Sequence, residues 1–154
     1  MNTAERISRW CVFLPCSEEE TWAVPQNCLG EIITLHDVAE EPPEDINWRG
    51  HEVPVLDLDK DGSTPWRESH GGTGRVAIFL GLDGQPSSYW GLALRGEGLA
   101  MDTLLDDQLE ALPEEEIVPH ALGGFRARDK VYQIPDLVEI PGLMLRREEI
   151  VVVS

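Results

Sequence analysis

Residues 46–58 read INWRGHEVPVLDL and decide the predicted fold. A turn at Arg49 and Gly50 leads directly into a short apolar strand that Pro54 interrupts. Proline is tolerated in a strand only at an edge, at a strand start or at a bulge. We therefore expect this strand on an exposed rim of a sheet. An exposed edge beside a charged turn is a ready docking surface for another protein.

The rest of the chain has the same pattern of short strands and frequent turns. Apolar residues alternate along residues 7–14, and a returning strand follows at residues 21–24. Residues 75–82 form a continuous apolar run, which we expect to be buried on both faces. Residues 123–134 predict a final hairpin. Seven or more short strands favour an all-β barrel or sandwich.

One segment has a different period. In residues 26–35 the apolar residues Leu29, Ile32 and Ile33 have helical spacing. Pro25 stands just before them, and proline is common at the start of a helix. This segment predicts one brief amphipathic helix.

Composition limits the class of partner. The chain has 154 residues, which is enough for one domain with a stable core. Its formal net charge is −17, with 12 basic and 29 acidic residues, so it cannot offer the large basic patch that nucleic acid or an anionic membrane requires. No apolar run reaches the ~20 residues of a membrane span, and no secretory signal is visible. Three cysteines without metal spacing predict reduced thiols in a cytoplasmic protein.

Residues 47–58 match the pattern N-x-R-G-x-x-x-P-V-x-D-L, and in this they resemble the CheW-like family, the coupling proteins of bacterial chemosensory arrays. The likeness extends over about residues 7–140. Residues 29–32 match the family's V-x-E-[VI] element imperfectly, and residues 91–94 fit its G-[IL]-x-V-D strand, but Arg95 stands where an acidic residue is usual. Glu44 also replaces a frequent glycine. These departures predict a divergent member, from a pathway that controls pili or another output rather than flagella.

The resemblance implies a mainly β fold of two intertwined five-stranded SH3-like barrels with a few short helices, which share a hydrophobic seam. We expect a single domain over residues 1–154, with the chain crossing between barrels near residues 58–75. Residues 141–154 are expected to form a tail or a strand. The family implies no enzymatic activity and no cofactor.

The resemblance also implies partners. Such proteins bridge the cytoplasmic tips of methyl-accepting chemoreceptors to the regulatory domain of a CheA-type histidine kinase, which is itself CheW-like. Other CheW-like domains are further expected partners. The implied location is the cytoplasm, with recruitment to membrane-associated receptor arrays.

Arg49 and Trp48 are the first candidates for partner contact, because arginine and tryptophan are enriched at binding hot spots. Arg49 offers a planar fork of donors and Trp48 an aromatic platform. In an alternative interpretation Arg49 pairs with Glu31 and merely pins the turn. Alternating basic residues after position 125 could dock an acidic surface, or could form an exposed strand face with Asp129 opposite. The full set of predicted partner-binding residues is Arg49, Trp48, Glu31, Val53, Val55, Arg126 and Arg128.

An acidic stretch supplies a competing hypothesis. Residues 57–68 satisfy the calcium-loop expression D-x-[DN]-x-[DN]-G-x5-E, but a strand rather than a helix precedes them. The alternative function is therefore a divalent-cation-binding β module. Residues 70–74 resemble the oxyanion loop of a hydrolase, but no G-x-S-x-G nucleophile motif accompanies them, so no catalytic residue can be named. The candidate cation ligands are Asp57, Asp59, Asp61 and Glu68.

Overall fold

The computed structural model consists mainly of β-strands. It describes residues 8–17, 20–59, 64–68, 71–81, 89–96, 100–105, 109–127, 130–137 and 139–140, with only the backbone described at residues 8–10 and 100–105. Short 3₁₀ helices cover Gln26–Cys28 and Glu114–Glu116. The strands of the described part are β1 (Ser8–Pro15), β2 (Thr21–Pro25), β3 (Leu29–Leu35), β4 (Asp45–Trp48), β5 (His51–Leu56), β6 (Gly74–Phe79), β7 (Trp90–Leu94), β8 (Ala100–Leu105), β9 (Glu110–Ala111), β10 (Ala121–Ala127) and β11 (Lys130–Pro135).

These strands form two sheets. One has five strands in the order β3-β6-β7-β5-β4, and the other has the order β8-β1-β2-β11-β10-β9, in which β9 is only two residues long. Most neighbouring strands are antiparallel, but β5 pairs with β7 and β2 pairs with β11 in parallel. The predicted mainly β fold with two five-stranded units is confirmed, and the short strand β9 is a sixth strand at the edge of one of them.

The chain changes sheets at different places from the one predicted. Strands β5 and β6, which flank residues 58–75, both belong to the five-stranded sheet. The changes occur between β2 and β3 and between β7 and β8, so the five-stranded sheet is one continuous insertion into the other. The expected crossing near residues 58–75 was wrong because glycine and polar residues mark a loop without indicating which sheet the loop returns to. The tail at residues 141–154 lies outside the described residues.

Side chains from both sheets meet in one hydrophobic cluster, which we call the seam. Fully burying a large apolar side chain contributes about 1.5–3 kcal/mol, so this cluster is the main reason that the two sheets stay together. Its buried members are Val12, Leu14, Cys16, Trp22, Val24, Ala77, Phe79, Trp90, Leu92, Leu94 and Ile140.

The strands that line the seam are buried on both faces. In β6, Ala77 and Phe79 enter the seam, whereas Val76 and Ile78 enter a second cluster inside the five-stranded sheet. This is the expected consequence of side chains alternating across a strand. The prediction that residues 75–82 are buried on both faces is confirmed for β6.

Three aromatic rings form the centre of the seam. The rings of Phe79 and Trp90 stack with centroids 4.2 Å apart, and Trp22 meets each of them edge-on at 6.2 Å. The indole Nε1 of Trp22 donates a hydrogen bond of 2.6 Å to Glu20 Oε2, and His120 Nε2 lies 2.6 Å from the same oxygen. The polar edge of the buried indole is thus satisfied, and the segment before β10 is tied to the β1–β2 hairpin.

The amphipathic helix expected at residues 26–35 is wrong. Only Gln26–Cys28 is helical, and β3 begins at Leu29. A bulge between Leu29 and Glu31 inserts one extra residue, so Leu29 and Ile32 share the seam face although they are three positions apart. The bulge therefore imitates the spacing of a helix. Among the described residues, no helix has the length and apolarity needed to cross a membrane.

Candidate functional site

The turn between β4 and β5 has an unusual backbone. Trp48 and His51 are directly opposite each other, so Arg49 and Gly50 form a two-residue hairpin loop. Their φ angles are +50° and +83°, as a type I′ turn requires. Asparagine, aspartate or glycine normally takes the first of these positions. An arginine held there is strained by an amount of order 1–3 kcal/mol, and such strain points to a functional constraint.

Trp48 and Glu31 hold the arginine in place. The Arg49 guanidinium carbon lies 4.7 Å from the centroid of the Trp48 ring, in cation–π contact. Glu31 Oε1 accepts a 2.9 Å hydrogen bond from Trp48 Nε1 and lies 3.8 Å from Arg49 Nη2. The Arg49 side chain remains 69% exposed. The pairing with Glu31 expected in the alternative interpretation is present, but it is too long to be a hydrogen bond.

Trp48 also closes the five-stranded sheet. Its strand β4 is one edge of that sheet and β3 is the other. The indole reaches β3, where a Cβ atom added to Gly30 would lie only 2.8 Å from Trp48 Cη2. Glycine at this position therefore allows the indole to lie against the β3 backbone. The two edges meet through this side chain and its hydrogen bond to Glu31.

Two further aromatic rings, those of Tyr89 and His51, pack beside Trp48. Tyr89 lies edge-to-face against Trp48 at 5.3 Å, and His51 lies edge-to-face against Tyr89 at 5.8 Å. Tyr89 is half-buried and His51 is exposed. We call the exposed group formed by Arg49, His51 and Tyr89 the hairpin tip. No sequence pattern indicated Tyr89 or His51, because their role depends on the packing of β7 beside β5.

Two of the predicted contact residues lie beneath the surface. Trp48 is only 6% exposed, so it supports Arg49 and does not form the exposed platform that was predicted. Val53 is fully buried in the interior of the five-stranded sheet, and Val55 is half-buried. The face of β5 that carries Val53 and Val55 packs in the second cluster inside the five-stranded sheet, and partner contact through these two residues stays a prediction.

The basic residues of the last hairpin do not form the stripe expected on one strand. Arg126 is opposite Val131 and Lys130 is opposite Ala127, so the antiparallel register places the two basic residues on opposite faces. Arg126 Nη2 lies 3.5 Å from Glu116 Oε1. Arg128 lies outside the described residues. Docking through Arg126 and Arg128 stays a prediction.

The acidic loop is organised around a buried arginine, Arg95. Arg95 binds Asp57 through two hydrogen bonds, Nε to Oδ1 at 2.9 Å and Nη2 to Oδ2 at 2.8 Å. This guanidinium occupies both carboxylate oxygens of the first candidate ligand. Asp59 accepts a hydrogen bond from the Thr64 amide, and Glu68 contacts the Thr73 hydroxyl. Asp61 lies outside the described residues, and in the remainder no group of three or more histidine, cysteine or acidic side chains could hold a metal ion.

Arg95 connects several parts of the fold. Its side chain is 1% exposed, and Nη1 donates to the carbonyl oxygen of Thr64 at 2.8 Å. Its backbone amide donates to Pro15 at the end of β1, across the two sheets. The hydrogen bonds that Arg95 donates to the Asp57 carboxylate raise the pKa of Arg95 above its ordinary value, while burial acts in the opposite direction. The family pattern usually has an acidic residue at position 95. The arginine found there was the signal that could have identified the pair of Arg95 with Asp57.

The three cysteines are not joined in disulfides. Burial, with a smaller effect from the charge of Glu20, raises the pKa of the Cys16 thiol well above its ordinary value. A thiol in this state is a packing group and not a nucleophile. Cys11 and Cys28 are half-buried, and Cys16 is the fully buried one.

The fold has a counterpart among solved structures. The chain is similar to the scaffolding protein TtCheW from Thermoanaerobacter tengcongensis, with a TM-score of 0.55 and 24% identity over 85% of this chain and 86% of that one. No protein-family model and no curated protein matches the chain. The comparison identifies the class of fold, and this chain has the CheW-like fold that residues 47–58 predicted.

The first test concerns the closure of the five-stranded sheet. We expect Gly30→Ala to lower the free energy of unfolding by about 1–3 kcal/mol, because the new methyl group overlaps the rigid indole of Trp48. The matched control is Gly123→Ala, where no heavy atom lies within 4 Å of the added Cβ and we expect a change within about 0.5 kcal/mol. Urea unfolding of both variants measures the difference. Equal changes in the free energy of unfolding for the two variants would show that the Trp48 indole is not packed against β3.

The second test concerns the buried ion pair. We expect Arg95→Met to cost about 3–5 kcal/mol, because it leaves the Asp57 carboxylate without its partner. The double variant Arg95→Met/Asp57→Leu should recover most of that loss, as measured by a double-mutant cycle in urea. Arg126→Met is the control, since it breaks an exposed pair worth at most about 1 kcal/mol. If the effects of Arg95→Met and Asp57→Leu on the free energy of unfolding simply add, the two side chains do not form the stabilising pair.

Proposed function

We propose that this chain is a non-enzymatic adaptor of a bacterial chemosensory system. In this proposal it binds the cytoplasmic tip of a chemoreceptor and the regulatory domain of a CheA-type histidine kinase, and holds the two together. It works in the cytoplasm at receptor arrays, and other CheW-like domains are further partners. The similarity to a scaffolding protein of the same fold supports this role.

One observation carries the proposal: an exposed arginine occupies a left-handed turn position at the rim of a closed sheet. The strain at Arg49 lowers stability, and asparagine or glycine would form the same turn more readily. The stacking on Trp48 fixes the guanidinium before any partner arrives. A preorganised side chain loses less conformational entropy on binding. Arginine in this state is suited to be a docking hot spot.

The cation-binding alternative receives no support from the loop geometry. Arg95 already neutralises Asp57 through a bidentate pair, so adding a divalent cation there would require breaking a buried ion pair. An adaptor needs no cofactor and no catalytic group. We therefore retain the adaptor role alone.

The test uses Arg49→Asn, which removes the guanidinium but keeps a residue that tolerates the left-handed turn. We expect the free energy of unfolding to change by no more than about 1 kcal/mol, because the relief of strain offsets the lost cation–π contact. Binding to a receptor-tip fragment from the same genome should weaken at least about tenfold in calorimetric titration. Stability and binding are thus separated in one variant.

The matched control is Arg67→Asn, which removes one exposed positive charge from the segment at residues 64–68. It should bind like the original protein, so that a general charge effect is excluded. Equal affinities of the Arg49→Asn and Arg67→Asn variants would remove Arg49 from the interface. Failure of the unmodified protein to associate with either the receptor tip or the kinase regulatory domain would overturn the proposed function.

A further inference from the structure

The exposed large apolar side chains of the described residues all lie in the hairpin of β10 and β11. They are Leu122, which is 71% exposed, and Val131 and Ile134, which are each 38% exposed. Single exposed apolar residues scattered over a protein are normal, but a group of them marks a surface that contacts something else. In a chain of net charge −17, this hairpin is therefore a candidate contact surface.

A bulge places Leu122 outside the regular pairing of the sheet. Ala121 is opposite Pro135 and Gly123 is opposite Ile134, so Leu122 is an extra residue without a partner in β11. Charged side chains commonly protect exposed positions of a sheet from other chains, and leucine gives no such protection. A leucine at this position therefore requires a covering group.

Ile134 is uncovered for a related reason. Its partner Gly123 has no side chain, and a Cβ atom added to Gly123 would meet no heavy atom within 4 Å. We call Leu122 and Ile134 the bulge patch. Val131 is three positions before Ile134 in β11 and lies on the other face of the strand, so it is not part of this patch.

The last described residues lie close to the bulge patch. The Asp136 amide donates to the His120 carbonyl oxygen at 2.9 Å, and the Ile140 amide donates to the Asp136 carbonyl oxygen at 3.1 Å. His120 precedes Leu122 by only two positions in the chain. The 14 residues from 141 to 154 could span about 46 Å if extended. That length is about three times the radius of gyration expected for a domain of this size, so residues 141–154 can reach the patch.

Residues 150–153 have the composition that such a patch requires. They read IVVV, so all of them are apolar and none carries a charge. A second copy of the chain is a less suitable occupant, because two molecules of charge −17 repel each other. A segment joined to the patch by a short tether also has an effective concentration of the order of millimolar. The chain's own residues 150–153 are therefore favoured.

We propose that residues 150–153 dock on the bulge patch of the same chain and cover Leu122 and Ile134. The contact removes apolar surface from water, which is the main source of its stability. It also shields the leucine of the bulge from other proteins. This inference does not depend on the proposed adaptor role.

The experiment is a brief trypsin digestion of the folded full chain. Trypsin cleaves after Arg146 and Arg147, and mass spectrometry measures how fast residues 148–154 are released. The cleaved bonds lie between Ile140, which is buried in the seam, and residues 150–153, so docking of these residues should slow the cleavage. We expect Leu122→Asp, which places a charge in the patch, to release the fragment at least about fivefold faster than the unmodified protein, because proteolysis follows the population of the open form.

The matched control is Val131→Asp, which places the same charge on another exposed apolar residue of the hairpin, on the other face of β11. It should release the fragment at the rate of the unmodified protein. Equal rates for the unmodified protein and Leu122→Asp would overturn the inference. An equal acceleration in both variants would overturn it as well, because the effect would then not depend on the bulge patch.

Nuclear Overhauser effects between methyl groups identify the occupant directly. In the full chain we expect cross-peaks between the methyl groups of Leu122 and those of Val151 or Val152, and these should persist when the protein is diluted. Complete absence of such cross-peaks would contradict the docking. Cross-peaks and slow release that both disappear on dilution would show that a second copy occupies the patch, and the intramolecular contact would then be wrong.

Discussion

The candidate site depends on one constraint: the five-stranded sheet is closed by a side chain and not by backbone hydrogen bonds. Strands β3 and β4 are its two edges, and the Trp48 indole connects them by lying against Gly30 and donating to Glu31. An unprotected edge is a liability in a β protein, and covering it is a general solution. Here the covering residue also forms the base on which Arg49 is stacked. The closure of the sheet and the position of the Arg49 guanidinium are therefore two consequences of the same tryptophan.

A second constraint holds the opposite end of this sheet. Arg95 at the end of β7 binds Asp57 after β5, and its backbone amide reaches Pro15 of the other sheet. The interaction explains how a basic residue is tolerated at the position where the CheW-like pattern usually has an acidic one. The charge is buried, but each strong donor group has an acceptor, which is the condition under which a buried ion is tolerated. The acidic loop is thus a structural element of the barrel end.

Local patterns in the sequence predicted the fold well where one strand or hairpin decides the outcome. Alternation identified the β1–β2 hairpin, and the unbroken apolar run identified β6 as buried on both faces. Prediction failed where the outcome depends on distant residues. The bulge at Gly30 gave β3 a helical spacing, and no local signal showed that β5 and β6 belong to the same sheet.

For the candidate site too, local features were predicted and long-range packing was not. Arg49 and Glu31 were found from the motif, because a charged turn before an interrupted strand is a local feature. The burial of Trp48 and Val53 could not be found, since it depends on which face of the hairpin meets the core. Arg95 and Tyr89 lie about 40 residues from their partners in the chain, and only the folded sheet brings them together.

Amide and indole chemical shifts show whether the tryptophan-closed edge presents Arg49 to a partner. In a titration of the ¹⁵N-labelled chain with the receptor-tip fragment, we expect the largest shifts at the Arg49 and Gly50 amides and the Trp48 indole N–H. The chain has five tryptophans, so the other indole signals serve as internal references. Shifts confined to the β10–β11 hairpin, with these three signals unmoved, would show that Arg49 does not contact the partner.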